Sequence, residues 1–354
     1  MKNKKLLIGV VVLVASIPFI VFKSCQSATI DKSVRIGAVL PLTGPLSFVG
    51  ESAQKGMVLA LEEFNENGKG KKHIELVVSD GKSSAKDSIM AYKHLIVGRG
   101  NMEALFCVST VGAKAIAEQN PNVPFYMTIV SDSKIARNKK GWLNLTLNDE
   151  QEVDTIFDYI KNLGRGKIAI AYQHDDLGVY TYETATSRHD VDIVAGEEVS
   201  DESQVSSVVA GICEKHPDAV FIAAVGSVAA TIAKKLAEYQ YAGVVASFSG
   251  FNTPSVLNQA GDAANGILIC STQYDVGDTT EVHSFKQSYT DKYGSKPDFI
   301  AAYAYSLMSI YLSSGIDASQ YHTLFGDLEK NSDGTIRFPL KIARLENGTV
   351  HIID

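Results

Sequence analysis

Residues 34–68 read VRIGAVLPLTGPLSFVGESAQKGMVLALEEFNENG, and this stretch decides the fold. "VRIGAVLPL" is a continuous apolar run of the kind that forms a strand buried on both faces. Met57, Ala60, Leu61 and Phe64 then recur at the spacing of one helix face, and the pattern stops near Asn67-Gly68. Between strand and helix, "PLTGPLSFVG" holds two prolines and two glycines. Glycines at that point let a backbone approach a bound molecule, and the helix N-terminus behind them favours an anionic group. A turn that only redirects the chain has the same composition, so both readings stand at this point.

The alternation continues outward. "HIELVVSD" reads as a second strand and leads to a helix carrying Ile89, Tyr92 and Ile96; "EALFCVST" and "VPFYMTIV" follow, with a short helix from Gly112 to Gln119 between them. After "GWLNLTLNDEQ" a second series begins with a helix near Glu150 to Asn162 and strands "KIAIAYQHD" and "DIVAGEEVS". A helix with Val205, Val208, Val209 and Ile212 leads to "AVFIAAVG", and a helix from Ser227 to Tyr239 leads to "GVVASFS". A helix near Thr253 to Ala260 and strand "GILICST" close that series. Helices return near Val282 to Tyr293 and Phe299 to Ser314, and Asn347-Gly348 between alternating runs signals a terminal hairpin. Strand and helix in alternation build a parallel sheet with helices on both faces. The expectation is an α/β protein of two doubly wound lobes, with ligands held beyond the carboxyl ends of the strands.

With 354 residues, 45% of them hydrophobic, the chain suits two such domains rather than one. A net charge of −7 without a long basic run argues against nucleic acid as a partner. Lys2, Lys4 and Lys5 precede an apolar run from Leu6 to Phe22, the pattern of an export signal or membrane anchor over residues 1–33, so the rest is expected outside the cytoplasm. Cys25 follows Ser24 where a lipoprotein would be cleaved and acylated, whereas Phe22 and Lys23 do not fit a lipobox; lipidation and an uncleaved anchor both remain open, and either makes a membrane tether. Cys107, Cys213 and Cys270 lie far apart and read as buried small hydrophobes, with a disulfide between two of them left open.

Read as a whole, the opening segment resembles that of the leucine/isoleucine/valine type of periplasmic binding protein. "ELVVSD", "PFYMTIVSDS", "IAIAYQHDDLG", "PDAVFIAAVGS", "YTDKYGSKPDFIAAYAYSLMSI" and the terminal "NG" hairpin follow in the family's order. The resemblance implies a Venus flytrap: lobe 1 from residues 34–148 plus 275–333, lobe 2 from 149–274 plus 334–354, and a three-segment hinge near Asn148, Tyr274 and Gly334. It implies a small-molecule ligand delivered to an ABC permease, with no cofactor, no metal and no catalytic residue. The same fold also serves tethered sensors and envelope proteins that bind a partner, and this remains the alternative.

The resemblance also implies where a ligand sits. Ser109 or Thr110 would hold a carboxylate together with Val130, Ser131 and Asp132, although Asp132 stands where a threonine is common. The acid that would meet a ligand ammonium after "GVVASFS" is absent, since Ser249, Gly250 and Phe251 occupy those positions. Leu177 and Val225 replace aromatics. A buried ammonium without a counter-charge costs several kcal/mol, so either Asp132, Asp175 or Asp176 substitutes or the ligand is not an ordinary α-amino acid. The expected ligand is a small organic acid, amide or amino-acid-like compound with an apolar body, set between a polar first wall and an apolar second one. Leu46, Phe48, Tyr274 and Phe299 are further candidates for the cleft; His174 reads first as a solvated loop residue, and Tyr126 and Trp142 as core.

Enzyme signatures do not survive inspection. "GRGKIA" at Gly164, Gly166 and Ala169 precedes a strand, whereas dinucleotide binding needs glycines after one. Ser131 with Lys134, and Ser83 with Lys86, spell S-x-x-K without the K-T-G that completes an acyltransferase site. The eight histidines show no metal-ligand spacing.

Overall fold

The computed structural model describes residues 33–66, 73–98, 101–132, 134–277 and 279–354. The apolar run Leu6–Phe22, Cys25 and the helix stop at Asn67-Gly68 lie outside them. Among the described residues no helix is long and apolar enough to cross a membrane.

The first half alternates as β1 (Val34–Leu40), α1 (Ser47–Glu66), β2 (Ile74–Asp80), α2 (Ala85–Lys93), β3 (Met102–Val108), α3 (Thr110–Ala117), β4 (Phe125–Thr128) and β5 (Trp142–Leu145). Its strands form one parallel sheet ordered β2-β1-β3-β4-β5. Side chains alternate across a strand with period two, and here both sets are apolar. Ile36, Ala38 and Leu40 of β1 join Ala104, Phe106 and Val108 of β3 in one hydrophobic cluster, while Val39, Leu105 and Cys107 join another on the opposite face. Burial on both faces is why these strands read as unbroken apolar runs.

A second alternation follows: α4 (Asp149–Asn162), β6 (Lys167–Gln173), α5 (Asp176–Ser187), β7 (Asp192–Val199), α6 (Val205–Glu214), β8 (Ala219–Ala223), α7 (Gly226–Glu238), β9 (Val244–Ser247), α8 (Pro254–Ala260) and β10 (Leu268–Ser271). The chain then runs through α9 (Gln273–Val276), α10 (Thr280–Tyr293), α11 (Phe299–Ser313), β11 (Gln320–Thr323), β12 (Gly326–Lys330), β13 (Ile336–Arg337), β14 (Lys341–Glu346) and β15 (Thr349–Ile352). The second sheet is ordered β15-β14-β10-β9-β8-β6-β7, parallel from β7 to β10 and antiparallel at β14 and β15. Again the faces divide by alternation, with Val220 and Ile222 of β8 in one cluster and Phe221 and Ala223 in the other. The terminal hairpin forms at the expected place, and Asn347 (φ 50°) and Gly348 (φ 73°) supply the two left-handed residues that a two-residue turn requires.

Three elements differ from the sequence reading. β5 forms within "GWLNL", α5 forms between "KIAIAYQHD" and "DIVAGEEVS", and β11, β12 and β13 make a small antiparallel sheet. The late helices pack back on the first sheet: Val282 and Phe285 of α10 and Ala301, Ala304 and Leu307 of α11 share the cluster of β1 and β3. Tyr274, Ile336 and Phe338 belong to that same cluster, whereas Ile342, Ala343 and Leu345 of β14 pack with the second sheet. Cys107, Cys213 and Cys270 are free thiols, and burial pushes Cys107 up to about 12.

Candidate functional site

The loop between β1 and α1 is held from below. The Asp80 carboxylate at the end of β2 accepts from the Leu42 and Thr43 N–H groups at 2.9 and 3.2 Å and from the Thr43 hydroxyl at 2.7 Å. These bonds and one from the Lys82 N–H hold it below the usual carboxylate range against the opposing effect of burial. Leu46 donates its N–H to Ser83 Oγ at 3.0 Å and packs on the first core. Gly50 is demanded by packing, because a Cβ there would collide with the Pro41 carbonyl as α1 crosses the end of β1. The opening loop is thus a tied turn whose glycine serves helix-on-strand packing. Gly178 repeats the device in the second half, where a Cβ would strike the Gln173 carbonyl at the end of β6.

At the carboxyl ends of β3 and β4 the backbone is forced into unusual conformations. Ser109 has φ 146° and Ile129 has φ 54°, a left-handed position for a β-branched residue. Such strain persists only where neighbours overdetermine it. Here β5 supplies the brace: Asn144 donates to the Val130 carbonyl at 3.0 Å, and the Val130 N–H donates to Thr146 Oγ1 at 3.1 Å. Ser131 is thereby presented at the edge, its N–H donating to Thr110 Oγ1 at 3.1 Å and its hydroxyl 3.2 Å from the same oxygen.

Opposite this edge lies the start of α5. Asp175 caps the helix by accepting from the Gly178 N–H at 2.8 Å. Leu177, Val179, Tyr180 and Glu183 of that helix face a cavity. Between the two walls is a cavity of about 620 Å³, bounded by Lys114, Ser131, Asp132 and Lys134 on one side and by Asp149, His174, Asp175 and those α5 residues on the other. Lys134 Nζ stands 5.7 Å from the centre of the Tyr180 ring and so spans the walls.

The charges in this cavity are unequally satisfied. Asp132 is 3.6 Å from Lys114 and accepts the Lys134 N–H at 3.0 Å. His174 meets Glu198 at 3.0 Å. Asp149 opens α4 and no hydrogen bond or ion pair engages its side chain among the described residues; burial pushes its carboxyl up to about 7. One turn on, Glu152 is buried and lifted to about 8 by burial, although the Ser249 N–H donates to it at 2.8 Å; Asp149 and Asp275 add to the rise.

Of the residues expected at the site, Ser131, Asp132 and Leu177 line the cavity together, with His174 and Asp175. Thr110 stands beside Ser131, and Ser109 is buried with its hydroxyl accepting the Gly112 N–H at 3.2 Å as the cap of α3. Val130 is buried behind the edge. The others lie elsewhere. Phe251 packs in the second core and Tyr274 in the first, Ser249 serves Glu152, and Leu46 belongs to the tied loop. Phe48, Val225 and Phe299 are solvent-exposed and outside the lining, and Asp176 is the first residue of α5. Tyr126 and Trp142 are core, as expected. The second wall is more acidic than the sequence suggested, since Asp149 and Glu183 flank Leu177, Val179 and Tyr180. Sequence reading missed Lys114, Lys134, Asp149, Val179, Tyr180 and Glu183; an Asp-capped helix after "AYQHD" was the available signal for the last three.

Residues 33–324 match the sequence profile described as periplasmic binding protein. Among curated proteins, Leu/Ile/Val-binding protein homolog 3 of Brucella melitensis is 26% identical over 193 residues, which are 53% of this chain and 47% of that protein, so the match spans about half of that relative. Leu/Ile/Val-binding protein homolog 8 of Brucella abortus is 23% identical over 290 residues, 75% of this chain and 71% of its own. The same fold is found in a putative branched-chain amino acid ABC transporter protein from Rhodospirillum rubrum, at TM-score 0.77 and 19% identity over 91% of this chain and all (100%) of that one. It recurs in the branched-chain amino acid transporter substrate-binding protein of Streptococcus pneumoniae in complex with isoleucine, at TM-score 0.74, 20% identity, and 91% and 99% coverage. A solute-binding protein from R. palustris in complex with benzoate matches at TM-score 0.69, 18% identity, and 91% and 95% coverage.

Proposed function

The chain belongs to the periplasmic binding protein family, and on that premise we propose that it is an extracytoplasmic receptor, tethered through its N-terminal segment, that encloses a small polar solute between two lobes and hands it to an ABC importer. One observation carries the reading: a cavity of about 620 Å³ takes one wall from the strand ends of the first sheet and the other from α4, α5 and the loop after β6. A volume of that order suits a metabolite.

The chemistry follows from the walls. The Ser131 hydroxyl, with the Thr110 hydroxyl beside it, suits an anionic head group, because hydrogen bonds to a charged acceptor are short and strong. Leu177, Val179 and the Tyr180 ring offer cover for an apolar body. The isoleucine and benzoate held by two proteins of this fold share a carboxylate and an apolar body, and that is the class we assign. Closure draws the walls together, and Lys134 against the Tyr180 face contributes about 0.5–1 kcal/mol to the closed form.

The packing supports lobe limits slightly different from those expected. With Tyr274, Ile336 and Phe338 in the first core and Ile342 in the second, the crossings are assigned near residues 148, 272 and 339–341. The test is a thermal-shift screen of the full chain against amino acids, carboxylates, benzoates and amides, followed by calorimetry. A binder whose affinity falls on Ser131→Ala supports the reading, and a panel with no binder removes it.

A further inference from the structure

Resting on the reading of this cleft as the solute site, we infer that Asp149 is the counter-charge for a cationic group on the solute, so that the ligand carries an ammonium or guanidinium besides its carboxylate. Four acids stand on the cavity wall, and three of them are otherwise engaged or exposed. Asp132 is neutralised by Lys114 at 3.6 Å and turned toward the Lys134 N–H. Asp175 is spent on the cap of α5. Glu183 stands at the exposed rim. Asp149 alone is half-buried on the wall with its carboxylate unpartnered among the described residues.

Its surroundings are acidic. Glu152 on the same helix is within electrostatic reach, and Asp275 of α9 acts on Glu152 in turn. The cation beside Asp275 is Lys286 of α10, whose Nζ donates to the Tyr274 carbonyl at 3.3 Å. The cavity's own cations are engaged, Lys114 by Asp132 and Lys134 by the Tyr180 face. A carboxyl in that setting holds its proton to about pH 7, and an arriving cation would displace the proton and form an ion pair in its place. The acid missing after β9 therefore has a replacement on the helix that opens the second lobe.

The test uses matched probes on the full chain: L-isoleucine against 3-methylpentanoate, which lacks only the ammonium, within a panel of amino acids, diamines, guanidino compounds and benzoate. Binders should carry a cation, and Asp149→Asn should weaken them about ten- to a hundredfold, the range for a hydrogen bond to a charged group. Calorimetry near pH 7 in phosphate and Tris should show about half a proton released per solute bound, a release lost in Asp149→Asn. The proton count is read on the unmodified chain and does not depend on the variant's folding. Tightest binding by carboxylates without a cation, or an unchanged affinity and proton count in Asp149→Asn, overturns the inference while leaving the solute-binding reading intact. A panel with no binder removes that reading and the inference with it.

Discussion

Glu152→Gln should stabilise the protein, and only above mildly acidic pH. Glu152 is 4% exposed, its carboxylate accepts the Ser249 N–H at 2.8 Å, and burial lifts it from 4.5 to about 8. The folded chain therefore keeps a proton that the unfolded chain releases between those two values. Stability falls as pH rises through that window and levels off above it. At about 1.4 kcal/mol for each tenfold change in proton affinity, the ionised side chain costs the fold on the order of 4 kcal/mol above pH 8. Glutamine keeps the acceptor for the Ser249 N–H, and the hydroxyl of the same serine, which also approaches Glu152, can take the new amide proton. Urea unfolding of parent and variant should differ by less than about 1 kcal/mol near pH 5 and by on the order of 3–4 kcal/mol near pH 8.5. A variant less stable than the parent near pH 8.5, or a difference that does not change with pH, would refute the electrostatic account of this helix.

Three further outcomes follow from the site and the N-terminus. Ser131→Ala should weaken a carboxylate ligand by about 1–3 kcal/mol in calorimetry, whereas Ser109→Ala should act on stability, lowering it by about 1 kcal/mol through loss of the α3 cap. Cys25→Ala should abolish labelling by a fatty-acid analogue; labelling that persists would leave the uncleaved anchor as the tether.

What the sequence disclosed depended on how much of each element is dictated locally. β1, β3 and β8 are apolar on both faces, so their runs were legible without partners, and the Asn347-Gly348 turn was legible because few dipeptides suit two left-handed residues. α5 was not legible. Its buried face is built from Gly178, Thr181 and Ala185, small residues that leave almost no apolar periodicity. β5 has its apolar run broken by Asn144, and β13 is two residues long, too short for a pattern to declare itself. The site shows the same division. Ser131 and Asp132 followed from the resemblance, but nothing in the sequence sets Asp149 apart, since acids are common at helix N-termini. Its distinction is that other chain segments bury it without bonding it, which is a property of tertiary structure. The resemblance puts Phe251 and Tyr274 near the cleft, and packing draws both into the cores instead.

Small-angle X-ray scattering of the full chain, with and without the tightest binder from the solute panel, tests enclosure most directly. The Lys134–Tyr180 contact and the cavity shared by both walls predict that the solute shifts the population toward a more compact form, with a smaller radius of gyration at saturation. A radius of gyration that does not move while calorimetry shows the solute bound would contradict closure, and would point instead to a rigid receptor that displays its cleft to a protein partner.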